Sequence, residues 1–223
     1  MRPSSLLPTV LLSILQLPSL TTALTTNANF TGIGHIIVLQ SDDWTKASTT
    51  RNLVGCLSAN GSFINPNDTR SCGTFSRLGE YPWTLSTKQG NCTFNDQTTE
   101  RNTDSHYGRS DHAWICRGGW TADVYDELYT IDGFPHVFLC FGDIACYYDT
   151  KRVPGPGEAL PLWQFRWGSQ QRGITPGHVQ VMLWWKKIGE LPKRGGDGGL
   201  DVAPGPRVRV GEGVQVKLGG RGL

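Results

Sequence analysis

The segments LWQFRW (162–167) and VQVMLWW (179–185) carry the clearest structural signal in this 223-residue chain. In the first, Trp163, Phe165 and Trp167 occupy every second position, and polar side chains fill the positions between them. The second segment repeats this alternation with valine, leucine and tryptophan. Successive side chains of a β-strand point to opposite faces, so residues at every second position share one face. Each segment therefore predicts a β-strand with one buried face.

Short runs of β-branched and aromatic residues recur between Gly, Pro and Asn turns along the rest of the chain. They lie at 35–40, 53–57, 62–64, 83–86, 113–116, 137–141 and 145–148. The dipeptide Asn60-Gly61 favours a tight hairpin between two of these runs. Only 121–129 has a helical pattern, with Thr121 at the N-cap and Asp123 in the first turn. The sequence therefore predicts a mainly β fold, an antiparallel sandwich or barrel with at most one short helix.

The N-terminal residues 1–23 have the order of a secretory signal peptide. Arg2 is followed by an apolar run at 6–17 and then by small residues that end at Ala23, as at a signal-peptide cleavage site. The run is shorter than the roughly 20 residues that span a bilayer. A buried N-terminal helix is the alternative, but Pro8 and Pro18 would interrupt it. We therefore expect a secreted, extracellular protein without a membrane span.

Six cysteines remain after the signal segment, an even number that indicates three disulfides in a secreted chain. They are Cys56, Cys72, Cys92, Cys116, Cys140 and Cys146. Because no C-x-x-C pair or histidine cluster accompanies them, we expect neither a metal site nor a cofactor. A hairpin with a turn at 142–144 would place Cys140 opposite Cys146, so we predict that these two pair. The connectivity of the other four stays open.

The Asn-x-Ser/Thr acceptor pattern of N-glycosylation occurs four times in the first half of the chain. The four asparagines are Asn29, Asn60, Asn67 and Asn91. In a secreted protein these triplets are accessible to the glycosylation machinery. We therefore expect a glycoprotein whose first half is shielded by sugars.

Residues 190–223 differ in composition from everything before them. They are crowded with Gly and Pro and contain no aromatic residue and no cysteine. This composition predicts a disordered basic tail, which leaves 24–189 as one disulfide-bonded β-rich domain. A weak hairpin around Gly211-Glu212-Gly213 is the alternative.

Charge is distributed unevenly along the chain. The net charge is +2, but Arg2 lies in the signal segment and residues 191–223 contribute a net +3, so residues 24–190 sum to −2. Binding of nucleic acid needs a broad basic surface. An acidic domain therefore excludes nucleic acid as the expected partner.

The densest polar segment, at 100–112, contains the residue types of general acid–base catalysis. Its candidates are Glu100, Asp104, His106, Arg109, Asp111 and His112. With them the protein would be a small secreted hydrolase, a ribonuclease or glycosidase acting on a phosphodiester or glycosidic bond. A solvated loop between strands is the alternative, and the acidic domain would attract RNA poorly. His35, His136 and His178 flank strands, where structural roles are expected.

Eight tryptophans suggest a second kind of site, a surface on which flat ligands stack. If Trp185 faces the core, its neighbour Trp184 points to the opposite face of the same strand. Trp184, Trp163 and Trp167 are therefore the candidate ligand-binding residues. The adjacent Asp42-Asp43 offers too few oxygens for calcium, and surface charge is a sufficient explanation for it.

The signal-like N terminus, the six cysteines, the acceptor triplets and the β-rich body together resemble the small cysteine-rich secreted proteins of filamentous fungi. The resemblance covers residues 1–190 by general character and matches no named domain. It implies an extracellular protein, effector-like or associated with a cell wall. We expect a non-catalytic glycoprotein that binds an extracellular glycan or protein surface, with the hydrolase and a purely structural wall component as alternatives.

Overall fold

A computed structural model describes residues 29–65, 71–79, 83–131, 133–141 and 146–192. The signal segment, the acceptor Asn67, the turn at 142–144 and the tail from residue 193 onward lie outside the described residues. Predictions about these parts of the chain stay predictions.

The described residues form thirteen strands and one turn of 3-10 helix, which confirms the mainly β prediction. The helical turn is Val124–Asp126. The strands are β1 Gly32–Leu39, β2 Leu53–Leu57, β3 Phe63–Ile64, β4 Phe75–Arg77, β5 Leu85–Thr87, β6 Gly90–Thr93, β7 Ile115–Arg117, β8 Leu128–Thr130, β9 Phe138–Phe141, β10 Tyr148–Thr150, β11 Ala159–Leu160, β12 Trp163–Gln164 and β13 Val179–Gly189.

Strands β1 and β13 form the centre of a curled antiparallel sheet. They pair along most of β1, with Ile36 opposite Trp185 and Leu39 opposite Met182. Strand β1 also pairs with β2 and β4, and β13 also pairs with β9 and β10. The predicted hairpin around Asn60-Gly61 is confirmed by the pairing of β2 with β3.

The alternation in β13 separates two apolar clusters, one on each face of the sheet. Val181, Leu183 and Trp185 join the main core. Met182 and Trp184 join the second cluster, which also contains Ile37, Leu39, Ala47, Cys56, Cys72 and Phe138, with Trp44, Ile64, Phe134 and Tyr147 packed against it. The outward-facing Trp184 is therefore covered by other elements rather than exposed.

The segment LWQFRW departs from the prediction after two residues. Only Trp163–Gln164 is a strand. Trp163 has no exposed surface, whereas Trp167 is 59% exposed. Between them, the guanidinium of Arg166 binds the carboxylate of Asp111 through two hydrogen bonds of 2.8 and 3.2 Å. Because this loop contact replaces strand pairing, the prediction that Trp167 shares the buried face is wrong.

The predicted helix at 121–129 is also wrong in its length and its cap. The N-cap is Asp123, not Thr121, and the chain enters β8 after one turn. The carboxylate of Asp126 is buried and accepts hydrogen bonds from four donors. These are Thr93 Oγ1, Asn95 Nδ2, Trp120 Nε1 and the backbone N–H of Asp123. The network satisfies a buried charge and fixes the turn without a longer helix.

Three disulfides form, which confirms the predicted pair Cys140–Cys146. The other two are Cys56–Cys72 and Cys92–Cys116, and the latter joins directly opposed residues of β6 and β7. The geometric reason for Cys140–Cys146 differs from the one predicted. In the described residues the flanking strands β9 and β10 each pair with β13 rather than with one another.

Candidate functional site: an aromatic cleft after strand β1

A cleft of about 540 Å³ lies where the chain leaves β1. The segment 41–46, together with Asn52 just before β2, lines one part of it. Phe134 and Tyr147, which precede β9 and β10, supply the rest. This volume is within the range of small-ligand sites in proteins. We call it the aromatic cleft.

Three partly buried aromatic rings give the cleft its apolar surface. Trp44 stacks on Tyr147 with ring centroids 4.8 Å apart and an angle of 19° between the planes. Phe134 meets Trp44 in an edge-to-face arrangement at 5.2 Å. All three rings pack against the second apolar cluster, so their positions are fixed by the outer face of the β1–β13 pair.

The polar rim of the cleft is fixed by local hydrogen bonds centred on Asp43. One carboxylate oxygen accepts from the backbone N–H and the hydroxyl of Thr45, at 2.8 and 2.6 Å. The other is 2.8 Å from the ammonium of Lys46. The hydrogen bonds from Lys46 and Thr45 hold the pKa of Asp43 well below its usual range. Asp43 is therefore a charged, fully engaged residue that shapes the segment 41–46.

Asp42 contributes to the rim differently. Its backbone carbonyl accepts a hydrogen bond of 2.7 Å from the hydroxyl of Tyr147, which joins the two sides of the cleft. Its side chain is exposed, and the described residues provide it with no ion-pair partner. Burial raises the pKa of Tyr147, and the charges of Asp42 and Asp43 raise it further. With Asp43 and Lys46 paired, Asp42 gives the charged residues that line the cleft a net negative charge.

The three predicted ligand-binding tryptophans have different positions. Trp184 is partly buried in the same cluster as the cleft rings, with its ring 5.5 Å from that of His136. Trp163 is completely buried, and its Nε1 donates to the carbonyl of Glu100 at 2.9 Å. This corrects the expectation that Trp163 lies on a ligand-binding surface. Trp167 is exposed but does not line the cleft.

The acid–base candidates at 100–112 do not converge on one point. Glu100 binds Lys151, Asp111 binds Arg166, and Asp104 lies 3.3 Å from His178. Nδ1 of the buried His112 donates to the carbonyl of Thr99, and His106 and Arg109 are exposed. Among the described contacts, neither imidazole of this segment has a carboxylate within hydrogen-bond distance. The six predicted residues therefore form no carboxylate–imidazole pair among themselves, and the imidazole that Asp104 contacts belongs to His178.

His178, for which the sequence predicts a structural role, forms a buried network whose partners the sequence did not indicate. Its Nδ1 donates to Asp149 at 2.6 Å, and Asp149 also accepts from Asn102 and from Thr175. The ring stacks on Trp163 at 5.9 Å. The partners of Asp149 are 26 to 47 residues away in sequence, so no local motif reveals them. The network joins Asn102 of the polar segment to Asp149 of β10 and to His178.

Two of the four glycosylation candidates are exposed and one is buried. Asn29 and Asn60 lie on the surface, and Asn67 is outside the described residues. Asn91 is 3% exposed, and its Nδ2 donates to the carbonyl of Trp120 at 3.0 Å. A glycan attached to that nitrogen cannot be accommodated in this fold, which corrects the expectation for Asn91.

This difference predicts two distinct outcomes when the protein is expressed in a eukaryotic secretory host. Asn60→Gln is expected to remove one glycan from the intact mass. Asn91→Gln is expected to leave the number of glycans unchanged and to lower the free energy of unfolding by about 1 kcal/mol, because the hydrogen bond to Trp120 is lost. Intact-mass spectrometry and urea unfolding measure both effects. Loss of a glycan in Asn91→Gln would contradict the buried position of Asn91.

No family model matches the chain, and neither a curated protein nor a solved structure is detectably similar to it. Function is therefore inferred from the chain's own geometry. Among the described residues there is no group of three or more His, Cys, Asp or Glu side chains arranged to hold a metal. In the same part of the chain, no helix is long and apolar enough to cross a membrane. The aromatic cleft combines three aromatic rings with a polar rim.

Proposed function

We propose that this protein is a secreted, non-catalytic glycoprotein that binds an extracellular glycan in the aromatic cleft. The observation that carries the proposal is the stacked pair Trp44–Tyr147 at the wall of a cleft with a polar rim. A sugar ring has an apolar C–H face and a perimeter of hydroxyls. Aromatic rings complement the C–H face, and carboxylate, hydroxyl and ammonium groups complement the hydroxyls.

The rigidity of the cleft supports this proposal. The loop 41–46 is held by the hydrogen bonds of Asp43, and Tyr147 is anchored to Asp42 across the cleft. A pre-organised site loses little conformational entropy when a ligand binds. Tyr147 also follows Cys146 directly, so a disulfide restrains the residue beside it.

The extracellular part of the proposal rests on two independent features. Residues 1–23 have the pattern of a cleavable signal peptide. All six cysteines are paired, and disulfides persist in oxidising compartments. An extracellular glycan, rather than a cytosolic metabolite, is the ligand class that fits both features.

The proposal predicts that Trp44→Ala weakens glycan binding by about tenfold or more, because one of the three rings that line the cleft is removed and Tyr147 loses its stacking partner. A glycan array with the full secreted chain identifies ligands, and calorimetric titration then compares the wild type with the variant. Trp167→Ala is the matched control, since it removes an exposed tryptophan that does not line the cleft. Near-UV circular dichroism checks that both variants keep the fold.

Two outcomes would count against the proposal. Absence of binding to every glycan on the array would exclude glycan binding as the function. Equal affinity of the wild type and Trp44→Ala for an identified glycan would exclude the aromatic cleft as its site.

A further inference from the structure

We propose that the aromatic cleft selects glycans with a free, protonated amine, that is, residues of a deacetylated amino sugar, over their neutral N-acetylated counterparts. This inference rests on the proposed function and specifies its ligand. It follows from the charges and ring faces that line the cleft.

The charge balance of the cleft is negative. Three charged side chains line it, Asp42, Asp43 and Lys46. Lys46 is paired with Asp43 at 2.8 Å, so these two charges compensate each other. The carboxylate of Asp42 is exposed and has no partner in the described part of the chain. The charged residues that line the cleft therefore sum to one net negative charge.

The aromatic rings favour the same sign of ligand charge. The face of an aromatic ring carries negative electrostatic potential and attracts an ammonium group held above it. Trp44, Phe134 and Tyr147 all line the cleft that Asp42 also lines. Burial raises the pKa of the Tyr147 phenol, and the negative charges of Asp42 and Asp43 raise it further. These two charges therefore act on the aromatic side of the cleft.

These two attractions distinguish closely related sugars. Acetylation of the amine removes the positive charge and leaves the sugar ring and its hydroxyls in place. A neutral sugar can still contact the rings and the rim, but it gains no charge–charge attraction from Asp42. A sugar that carries a carboxylate would be repelled by the same group.

The experiment compares glucosamine oligosaccharides with N-acetylglucosamine oligosaccharides of the same length, titrated into the full secreted chain at about pH 5.5, where amines are protonated. We expect the amine form to bind about tenfold more tightly at low salt, and the difference to shrink at high salt. Asp42→Asn is expected to abolish this difference, because it removes the negative charge that the amine form recognises and keeps a side chain of similar size. Glu190→Gln, which removes an exposed carboxylate outside the cleft, is expected to preserve it.

The outcomes separate this inference from the proposed function. Equal affinities for the two sugars, tighter binding of the acetylated one, or a preference that survives Asp42→Asn would overturn the inference and leave glycan binding in place. Failure of both sugars and of every other glycan to bind would overturn the proposed function itself.

Discussion

Replacement of Trp185 by alanine is expected to lower the free energy of unfolding by about 3 to 5 kcal/mol. The ring is 2% exposed and packs edge-to-face on Phe30 at a centroid distance of 5.3 Å. Gly34 of the neighbouring strand lies against the same ring, since a Cβ there would be only 2.6 Å from it. Removing the indole would therefore leave a cavity between β1 and β13 that neither strand can fill.

The loss should come from packing rather than from hydrogen bonding. Among the described residues, Nε1 of Trp185 has no acceptor, so the substitution breaks no bond. Trp185→Phe should then cost clearly less than Trp185→Ala. Trp167→Ala is the matched control and is expected to change the free energy of unfolding by less than about 0.5 kcal/mol, since its side chain is mostly exposed. Urea unfolding followed by far-UV circular dichroism measures all three; equal losses at positions 185 and 167 would show that the packing described for β13 is wrong.

Asp149→Ala is expected to have an effect of similar size, about 3 to 5 kcal/mol, for a different reason. The carboxylate is 1% exposed and accepts hydrogen bonds from Asn102, Thr175 and His178. Alanine would leave three buried donors without their acceptor. An unsatisfied buried polar group costs more than the net value of the bond that it lost.

Asp104→Asn provides the control for the Asp149 prediction. Asp104 lies on the other side of the same imidazole, but its side chain is 57% exposed, so solvent screens its contact with His178. We expect a loss below about 1 kcal/mol for this variant. Chemical unfolding of both variants at the same pH measures the two losses of unfolding free energy. A loss for Asp104→Asn as large as that for Asp149→Ala would refute the buried network as the source of stability. A double-mutant cycle between Asn102 and Asp149 then measures their coupling directly.

The strands could be predicted wherever the sequence alternates over several residues. Strand β13 and the β2–β3 hairpin follow from alternation and from an Asn-Gly turn. The same rule fails at LWQFRW, because the contact between Arg166 and Asp111 ends the strand and is invisible to a local pattern. The pairing of Cys140 with Cys146 was predicted correctly, although the flanking strands are arranged differently.

The candidate site could not be predicted, because its parts are far apart in sequence. Phe134 and Tyr147 lie 90 and 103 residues after Trp44, and the sheet brings all three to one cleft. The available signal was the Asp-Asp-Trp triplet at the end of the first strand, which has charge and an aromatic ring together. The polar segment at 100–112 gave a stronger signal, yet Glu100, Asp104 and Asp111 each bind a different partner in the structure.

The pairing of β1 with β13 also determines when the protein can fold. Ile36 lies opposite Trp185, so residues 149 positions apart must meet before the central strand pair exists. During synthesis, β1 emerges early and stays without this partner until the ribosome has passed residue 189. Contacts of such long range slow folding and leave apolar strands exposed to aggregation meanwhile. The central strand pair therefore delays closure of the sheet until β13 has been made, whatever the order in which the other strands pair.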